Sequence, residues 1–146
     1  MYTNEIEILL VEDNPNDVKL TLRALSKNNL SNKIHVVIDG EEALDFIYAK
    51  NKYSDRSITA IPKLILLDLK LPKVDGLEVL KELKSDERTK MIPVVILTTS
   101  REESDIIKSY QLGANSYIVK PVDFEKFISA IADIGFYWLL LNELPN

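Results

Sequence analysis

Short apolar runs alternate with longer segments of helical periodicity along this chain of 146 residues. Runs that are apolar at every position are typical of strands covered on both faces, and apolar residues three or four apart are typical of helices packed against them. The runs predict five strands, at residues 5–11, 33–38, 64–67, 94–97 and 117–119. The alternation predicts an α/β domain of five β/α units around a parallel sheet.

Residues that begin or end helices fall between the predicted strands. Asn14 is a suitable N-cap, and Pro15 suits the first helical position because its φ is already helical. Gly113 is expected just after the fourth helix, where a left-handed residue is common. The polar segment 51–63 has no periodicity, and we interpret it as an exposed loop, longer than usual for such units. The single histidine, His35, lies within the second strand, and we interpret it as structural.

Composition narrows the class of protein. A chain of this length suits one domain, which we assign to residues 1–146 with a helical extension over about 135–146. No cysteine is present, which excludes disulfides and thiolate metal sites and is compatible with the expected cytoplasmic location. No signal-peptide pattern or bilayer-spanning apolar run is visible, so no membrane association is expected. The net charge of -5 disfavours a nucleic-acid partner.

Polar groups follow four of the predicted strands at the same end. Glu12-Asp13 follows the first strand, Asp68 the third, Thr98 the fourth and Lys120 the fifth. Each of these residues also has an ordinary structural interpretation. Glu12-Asp13 would be acids near a helix N-terminus, and Asp68 a turn residue. Thr98 would be a good strand residue, and Lys120 an exposed lysine before a turn. Ligands of open parallel sheets bind at the carboxyl ends of the strands, however. Acids, a hydroxyl and an ammonium at that edge together suggest phosphoryl chemistry.

The strand-end motifs together resemble the receiver domain of two-component response regulators. The motifs are Val11-Glu12-Asp13-Asn14, Leu67-Asp68-Leu69-Lys70-Leu71-Pro72 with Asp75-Gly76, Leu97-Thr98-Thr99-Ser100, Gly113-Ala114, and Tyr117-Ile118-Val119-Lys120-Pro121. The resemblance covers about residues 5–134. Within the family, the chain resembles most the stand-alone receivers of the cyanobacterial phytochrome-associated type. It implies a flavodoxin-like fold, a doubly wound sheet of five parallel strands in the order 2-1-3-4-5 with five helices.

In that strand order the acids after the first and third strands converge. Carboxylates about 4 Å apart repel by roughly 4 kcal/mol at an effective dielectric constant near 20, and Lys120 supplies one positive charge against three negative ones. The cluster must therefore protonate or bind a divalent cation, and a small set of oxygen ligands favours Mg²⁺. The resemblance implies that Asp13, Asp68 and the backbone carbonyl of Lys70 hold the metal, with Glu12 acting through water.

The resemblance also implies roles for the remaining motif residues. Asp68 is the phosphoacceptor, and Thr98 and Lys120 bind the phosphoryl oxygens. Thr98 and Tyr117 form a switch, in which Tyr117 moves inward when Thr98 turns toward the phosphoryl group. The peptide bond before Pro121 is expected to be cis, as X-Pro bonds can be.

These roles predict a single-domain response regulator that accepts a phosphoryl group from a histidine kinase. The resemblance to phytochrome-associated receivers implies a phytochrome-like kinase. It would signal by phosphorylation-dependent protein–protein interaction and catalyse only its own phosphoryl transfer and dephosphorylation. A haloacid-dehalogenase-like phosphatase is the enzymatic alternative, but it requires an aspartate where this chain has Lys70. A flavodoxin is disfavoured because Glu12-Asp13 would repel its phosphate. A receiver that acts only as an unphosphorylated binding module is a third alternative.

The last helical pattern continues past Ile134 into the apolar segment 136–141. This segment is apolar around most of its circumference, whereas a monomer covers only one stripe of a surface helix. We predict a homodimer whose interface includes Phe136, Trp138 and Leu141. The alternative is a tail that folds back onto its own domain.

Overall fold

The computed structural model describes residues 8–27, 33–120 and 123–137, and within the last range the side chains of 124, 135 and 136 are not described. The strands are β1 Ile8–Val11, β2 Ile34–Val37, β3 Leu64–Leu67, β4 Val94–Thr98 and β5 Ser116–Val119. The α-helices are α1 Pro15–Ser26, α2 Gly40–Ile47, α3 Gly76–Ser85, α4 Glu103–Gln111 and α5 Phe124–Phe136. A 3₁₀ turn lies at Asn51–Tyr53.

The sheet is parallel and has the order β2-β1-β3-β4-β5, which confirms the predicted fold class. Strand β1 lies between β2 and β3, and its Val11 pairs with Val37 on one side and with Leu67 on the other. At the far side of the sheet, Thr98 of β4 pairs with Val119 of β5. The residues that follow these pairs therefore reach one common edge.

Alternate strand residues belong to two apolar layers, one on each face of the sheet. Leu9 points into the layer that also holds Leu80 of α3. Ile8 points the other way, into the layer that holds Leu25 of α1 and Ile131 of α5. Burying each such side chain contributes about 1.5–3 kcal/mol, so both faces stabilise the sheet. None of the helices in the described ranges is long and apolar enough to cross a membrane.

The start of α1 is held by its cap, as its sequence predicts. The side chain of Asn14 accepts hydrogen bonds from the backbone N–H groups of Asn16 and Asp17, at 2.9 and 3.3 Å. Pro15 occupies the first helical position, and the hydroxyl of Thr21 donates to the carbonyl oxygen of Asp17. These bonds fix the direction in which the first turn of α1 faces the edge of the sheet.

The prediction of an exposed loop over residues 51–63 is wrong for three residues. Tyr53 and Arg56 are only 5% and 6% exposed, and Pro62 is buried as well. The guanidinium of Arg56 lies 3.7 Å from the ring centroid of Phe46 and donates to the carbonyl oxygen of the same residue. Buried polar groups are tolerated when they are hydrogen-bonded, and the polar composition of the loop concealed this.

His35 belongs to the same buried cluster. Its ring stacks on Phe46 with the centroids 4.4 Å apart, and its Nε2 lies 2.9 Å from the hydroxyl of Tyr53. That hydroxyl donates to Glu42 at 2.7 Å. Burial lowers the pKa of His35, while the charge of Glu42 opposes the shift. His35 thus packs the loop against the sheet as a neutral ring.

We expect His35 to titrate below its ordinary pKa of 6.5. Because the pKa is lower in the folded state, the stability contributed by neutral His35 is present above pH 6.5 and is lost as the pH falls through the folded pKa. NMR titration of this single imidazole measures the folded pKa, and His35→Gln should flatten that part of the stability–pH curve. A folded pKa at or above the ordinary value would contradict the role of burial.

Candidate functional site

The carboxyl edge of the sheet gathers side chains from three strands. Glu12 follows β1, Asp68 follows β3 and Lys120 follows β5. The backbone N–H of Asp68 donates to the carbonyl oxygen of Val11 at 3.1 Å. The pairing of β1 with β3 therefore continues as far as Asp68 itself. This continued pairing places the two acids side by side, although they are far apart in the sequence.

Three carboxylates form a cluster at this edge. Glu12, Asp13 and Asp68 each offer one ligand oxygen, and these oxygens all lie within 4.8 Å of one another. Glu12 and Asp68 are buried, whereas Asp13 is exposed to solvent. Like charges this close repel strongly in a partly buried site. The cluster is therefore chemically suited to a hard cation that enters from the side of Asp13.

The ammonium of Lys120 lies among these acids. Its Nζ is 2.5 Å from Glu12 Oε1, 2.7 Å from Asp17 Oδ2 and 3.2 Å from Asp68 Oδ2. The sequence did not predict the contact between Lys120 and Asp17. A signal was present, because Asp17 lies in the first turn of α1 and therefore at the end of the helix that follows Glu12-Asp13.

Burial and the neighbouring charges shift two pKa values here. Burial raises the pKa of Glu12 to about 7; the hydrogen bond from Lys120 opposes this shift and the charge of Asp68 adds to it. Burial alone would lower the pKa of Lys120, but hydrogen bonds to Asp17 and Glu12 and the charge of Asp68 raise it overall. Lys120 therefore stays charged near neutral pH, and the surrounding acids carry the excess negative charge.

Both carboxylate oxygens of Asp68 have hydrogen-bond donors. Oδ2 faces Lys120, and Oδ1 accepts from the backbone N–H of Lys70 at 3.3 Å. Helix α3 begins close by, because a Cβ added at Gly76 would lie 2.3 Å from the carbonyl oxygen of Asp68. Only glycine permits this close approach, so Gly76 keeps the loop between β3 and α3 folded against the acidic edge.

A cleft with a cavity volume of about 330 Å³ opens beside the cluster. Its lining residues are Asp13, Leu69, Lys70, Leu71, Pro72, Asp75, Leu77 and Asp105. The exposed carboxylate of Asp13 therefore faces both the acid cluster and open space.

Ser100 connects the end of β4 with β5 and α4. Its backbone N–H donates to the hydroxyl oxygen of Thr98 at 3.4 Å, and its carbonyl oxygen accepts from the hydroxyl of Tyr117 at 3.0 Å. Its own hydroxyl donates to Asp105 of α4 at 2.6 Å. Thr98 is fully buried, whereas Tyr117 is half-buried. One loop residue thus joins the two predicted switch residues.

The structure brings together most of the predicted site residues. Glu12, Asp13, Asp68 and Lys120 form one cluster. Lys70 is adjacent through its backbone N–H. Thr98 ends β4 at the same edge of the sheet, and Tyr117 lies next to it on β5. The remaining predictions concern Pro121, Trp138 and Leu141, which lie outside the described residues, and the side chain of Phe136, which is also not described.

Comparison with known proteins agrees with this fold. Residues 8–132 match the response regulator receiver domain model. The chain is 41% identical to the probable methanogenesis regulatory protein FilR2 of Methanothrix harundinacea, over 95% of this chain and 87% of that protein. It is 39% identical to the response regulator Rcp1 of Synechocystis, over 94% of this chain and 92% of that protein. The chain therefore belongs to the response regulator receiver domain family.

Solved structures support the same assignment. The phosphorylated cyanobacterial phytochrome response regulator RcpA has a TM-score of 0.88 and 42% identity, and the match covers 97% of this chain and 99% of that one. The Mn²⁺-bound form of Rcp1 has a TM-score of 0.86 and 39% identity, over 95% of this chain and 98% of that one. The prediction that the chain is similar to cyanobacterial phytochrome-associated receivers is confirmed. The predicted divalent cation agrees with the metal-bound relative and with the acid cluster.

Proposed function

We propose that this protein is a response regulator that accepts a phosphoryl group from a histidine kinase onto Asp68. The observation that carries the proposal is the position of Asp68 at the carboxyl end of β3. There its carboxylate lies beside Glu12 and Asp13 and 3.2 Å from the ammonium of Lys120. Such an arrangement suits phosphoryl transfer, because that reaction needs a placed nucleophile and compensation of charge on the phosphoryl oxygens.

In the proposed reaction a carboxylate oxygen of Asp68 forms a bond to phosphorus as the N–P bond of a phosphohistidine breaks. The leaving imidazole takes the electron pair of that bond and a proton. Lys120 and Thr98 donate to the phosphoryl oxygens. Later, a water oxygen attacks the phosphorus and the acyl phosphate P–O bond breaks. Inorganic phosphate leaves, the Asp68 carboxylate is regenerated, and the proton lost by the water passes to solvent. Beyond this self-directed chemistry we assign no enzymatic activity to the protein.

We further propose that Mg²⁺ binds at the acid cluster. Asp13 and Asp68 would hold it together with the backbone carbonyl of Lys70, and Glu12 would contribute through water. The carboxylate oxygens within 4.8 Å of one another and the exposure of Asp13 support this ligand set. When bound, Mg²⁺ neutralises charge on the acids and on the phosphoryl oxygens. Lys120, which contacts Glu12 and Asp68, provides a second source of positive charge at the cluster.

We expect Mg²⁺ to raise the stability of the wild-type domain. The free energy of unfolding should rise by about 1.4 kcal/mol for each tenfold excess of Mg²⁺ over its Kd. Asp13→Asn should lose most of this increase, and its metal-free midpoint should be higher because one of the repelling charges is gone. Thermal unfolding with and without Mg²⁺ measures both effects, with Asp133→Asn as a control on the exposed side of α5. A wild-type midpoint that ignores Mg²⁺ would contradict the metal site.

The proposed output is a phosphorylation-dependent change of the surface around β4, α4 and β5. If Thr98 turns toward the phosphoryl group, its hydroxyl oxygen would move relative to the backbone N–H of Ser100 and so weaken that hydrogen bond. Ser100 also accepts from Tyr117 and donates to Asp105. Phosphorylation would therefore favour a second arrangement of this loop, in which Tyr117 moves inward, and a partner protein would recognise the new surface.

The proposed kinase is of the phytochrome type, because a relative of 42% identity is a cyanobacterial phytochrome response regulator. The absence of cysteine is compatible with the cytoplasm, the location we propose. The test of the proposed function is intact-mass measurement after incubation with acetyl phosphate. We expect one added phosphoryl group in the presence of Mg²⁺ and almost none in its absence. A protein that gains no phosphoryl group under either condition would contradict the proposal.

We also propose that the chain forms a homodimer through its C-terminal segment. Helix α5 reaches Phe136, and Tyr137, the last described residue, leaves 49% of its surface exposed. Large apolar residues follow in the sequence. We expect sedimentation to show a dimer at micromolar concentration and a monomer when the chain is truncated after Gly135. A monomeric wild type, or a truncated chain that still dimerises, would contradict this interface.

A further inference from the structure

The strongest unexplained contact at the site is the ion pair between Asp17 and Lys120. Its length of 2.7 Å is shorter than the 3.2 Å between Lys120 and Asp68. Asp17 comes from α1, whereas the other acids of the site follow strands. Neither the proposed metal ligands nor the proposed phosphoryl donors include Asp17. The contact nevertheless occupies the cation on which phosphoryl binding depends.

The hydrogen-bonding capacity of Lys120 shows why this contact matters. An ammonium has three N–H donors and no acceptor. In this structure its three partners are the carboxylates of Glu12, Asp17 and Asp68. Its donors are therefore matched by acceptors before any phosphoryl group arrives. A phosphoryl oxygen on Asp68 can receive a full hydrogen bond only if Lys120 weakens or gives up one of its present partners.

Asp17 is the partner that Lys120 can release at the lowest cost. The side chain of Glu12 is 3% exposed, so without the ammonium its charge would be left in a poorly hydrated place. The side chain of Asp17 is 23% exposed, and water can take over from the ammonium there. The backbone of Asp17 is fixed by the Asn14 cap, so its carboxylate is presented to Lys120 without a change in the helix.

We propose that Asp17 is a positioning residue for Lys120. The carboxylate of Asp17 holds the ammonium in the unphosphorylated protein and competes for it with the phosphoryl oxygens on Asp68. This inference rests on the proposed function, because it concerns binding of the phosphoryl group at that site. Asp17 would then weaken phosphoryl binding while keeping Lys120 placed among the acids. Its removal should strengthen the interaction between Lys120 and a phosphoryl group.

The first test uses beryllofluoride, a phosphoryl mimic, titrated calorimetrically at saturating Mg²⁺. We expect Asp17→Asn to bind it about fivefold more tightly than the wild type, the size that a partly exposed ion pair supports. Asp17→Glu retains the charge and should bind like the wild type, as should Asp133→Asn, which removes a charge elsewhere. The cap of α1 should survive in Asp17→Asn, since it uses the backbone N–H of this residue.

The second test observes Lys120 directly in the metal-free protein. The side-chain ¹⁵N resonance of Lys120 should move in Asp17→Asn and return toward the wild-type position in Asp17→Glu. An unmoved resonance, or beryllofluoride binding in Asp17→Asn that is no tighter than in the wild type, would overturn the proposed role of Asp17. Either result would leave the proposed function of the protein unaffected. A wild type that does not bind beryllofluoride with Mg²⁺ would overturn the proposed function, and the inference with it.

Discussion

Asp68→Asn is expected to abolish phosphorylation by acetyl phosphate, whereas the wild type gains one phosphoryl group. An amide lacks the anionic oxygen that must bond to phosphorus, so the variant has no nucleophile at the end of β3. Asp13 cannot replace it, because it stands after β1 and on the exposed side of the cluster. Intact-mass spectra taken at equal times with Mg²⁺ measure the difference.

Folding of Asp68→Asn is not expected to limit this experiment. The substitution removes one of the repelling charges, and the amide oxygen can still accept from the backbone N–H of Lys70. We therefore expect a metal-free unfolding midpoint at or above that of the wild type. Asp133→Asn on α5 serves as the matched control and should be phosphorylated fully. An equal mass gain in Asp68→Asn would mean that another residue is the acceptor.

The order of elements could be predicted from the sequence because its signals are local. The apolar run at Leu64–Leu67 is contiguous. The capping residues of α1, Asn14 and Pro15, stand directly at the start of that helix in the sequence. The polar ends of the strands could also be predicted, since a parallel sheet brings all carboxyl ends to one edge. The convergence of Glu12 with Asp68 required the strand order, which came from the resemblance and is confirmed by the register.

Contacts between distant residues could not be predicted in this way. Tyr53 and Arg56 are buried because Phe46 of α2 offers a ring to both, and no local pattern in the loop reveals that partner. Asp17 and Lys120 are 103 positions apart, and their contact depends on how α1 packs beside α5, the helix that follows β5. The hydrogen bonds of Ser100 to the switch residues use mainly its backbone, which carries no side-chain signal.

Lys120→Met is expected to destabilise the metal-free protein by about 3–5 kcal/mol, the cost of removing one partner from a buried ion pair. Methionine fills a similar volume, so the loss is mainly electrostatic. Glu12 and Asp68 would remain buried at this edge without the ammonium that now lies 2.5 and 3.2 Å from them. Lys126→Met, at an exposed position on α5, should cost little and serves as the control.

The pH and Mg²⁺ dependence of this loss separates electrostatics from packing. Burial already raises the pKa of Glu12 to about 7, and Lys120 opposes that shift, so the pKa should rise further in Lys120→Met. A carboxyl group whose pKa is raised on folding favours the folded state at low pH and loses that advantage as the pH rises. The stability deficit of Lys120→Met relative to the wild type should therefore be smaller below pH 7 than above it.

Saturating Mg²⁺ should recover much of the deficit, because a bound cation takes over the role of the ammonium. Urea unfolding on each side of pH 7, with and without Mg²⁺, measures the deficit under these conditions. A deficit that changes with neither pH nor Mg²⁺ would mean that Lys120 stabilises the fold by packing alone.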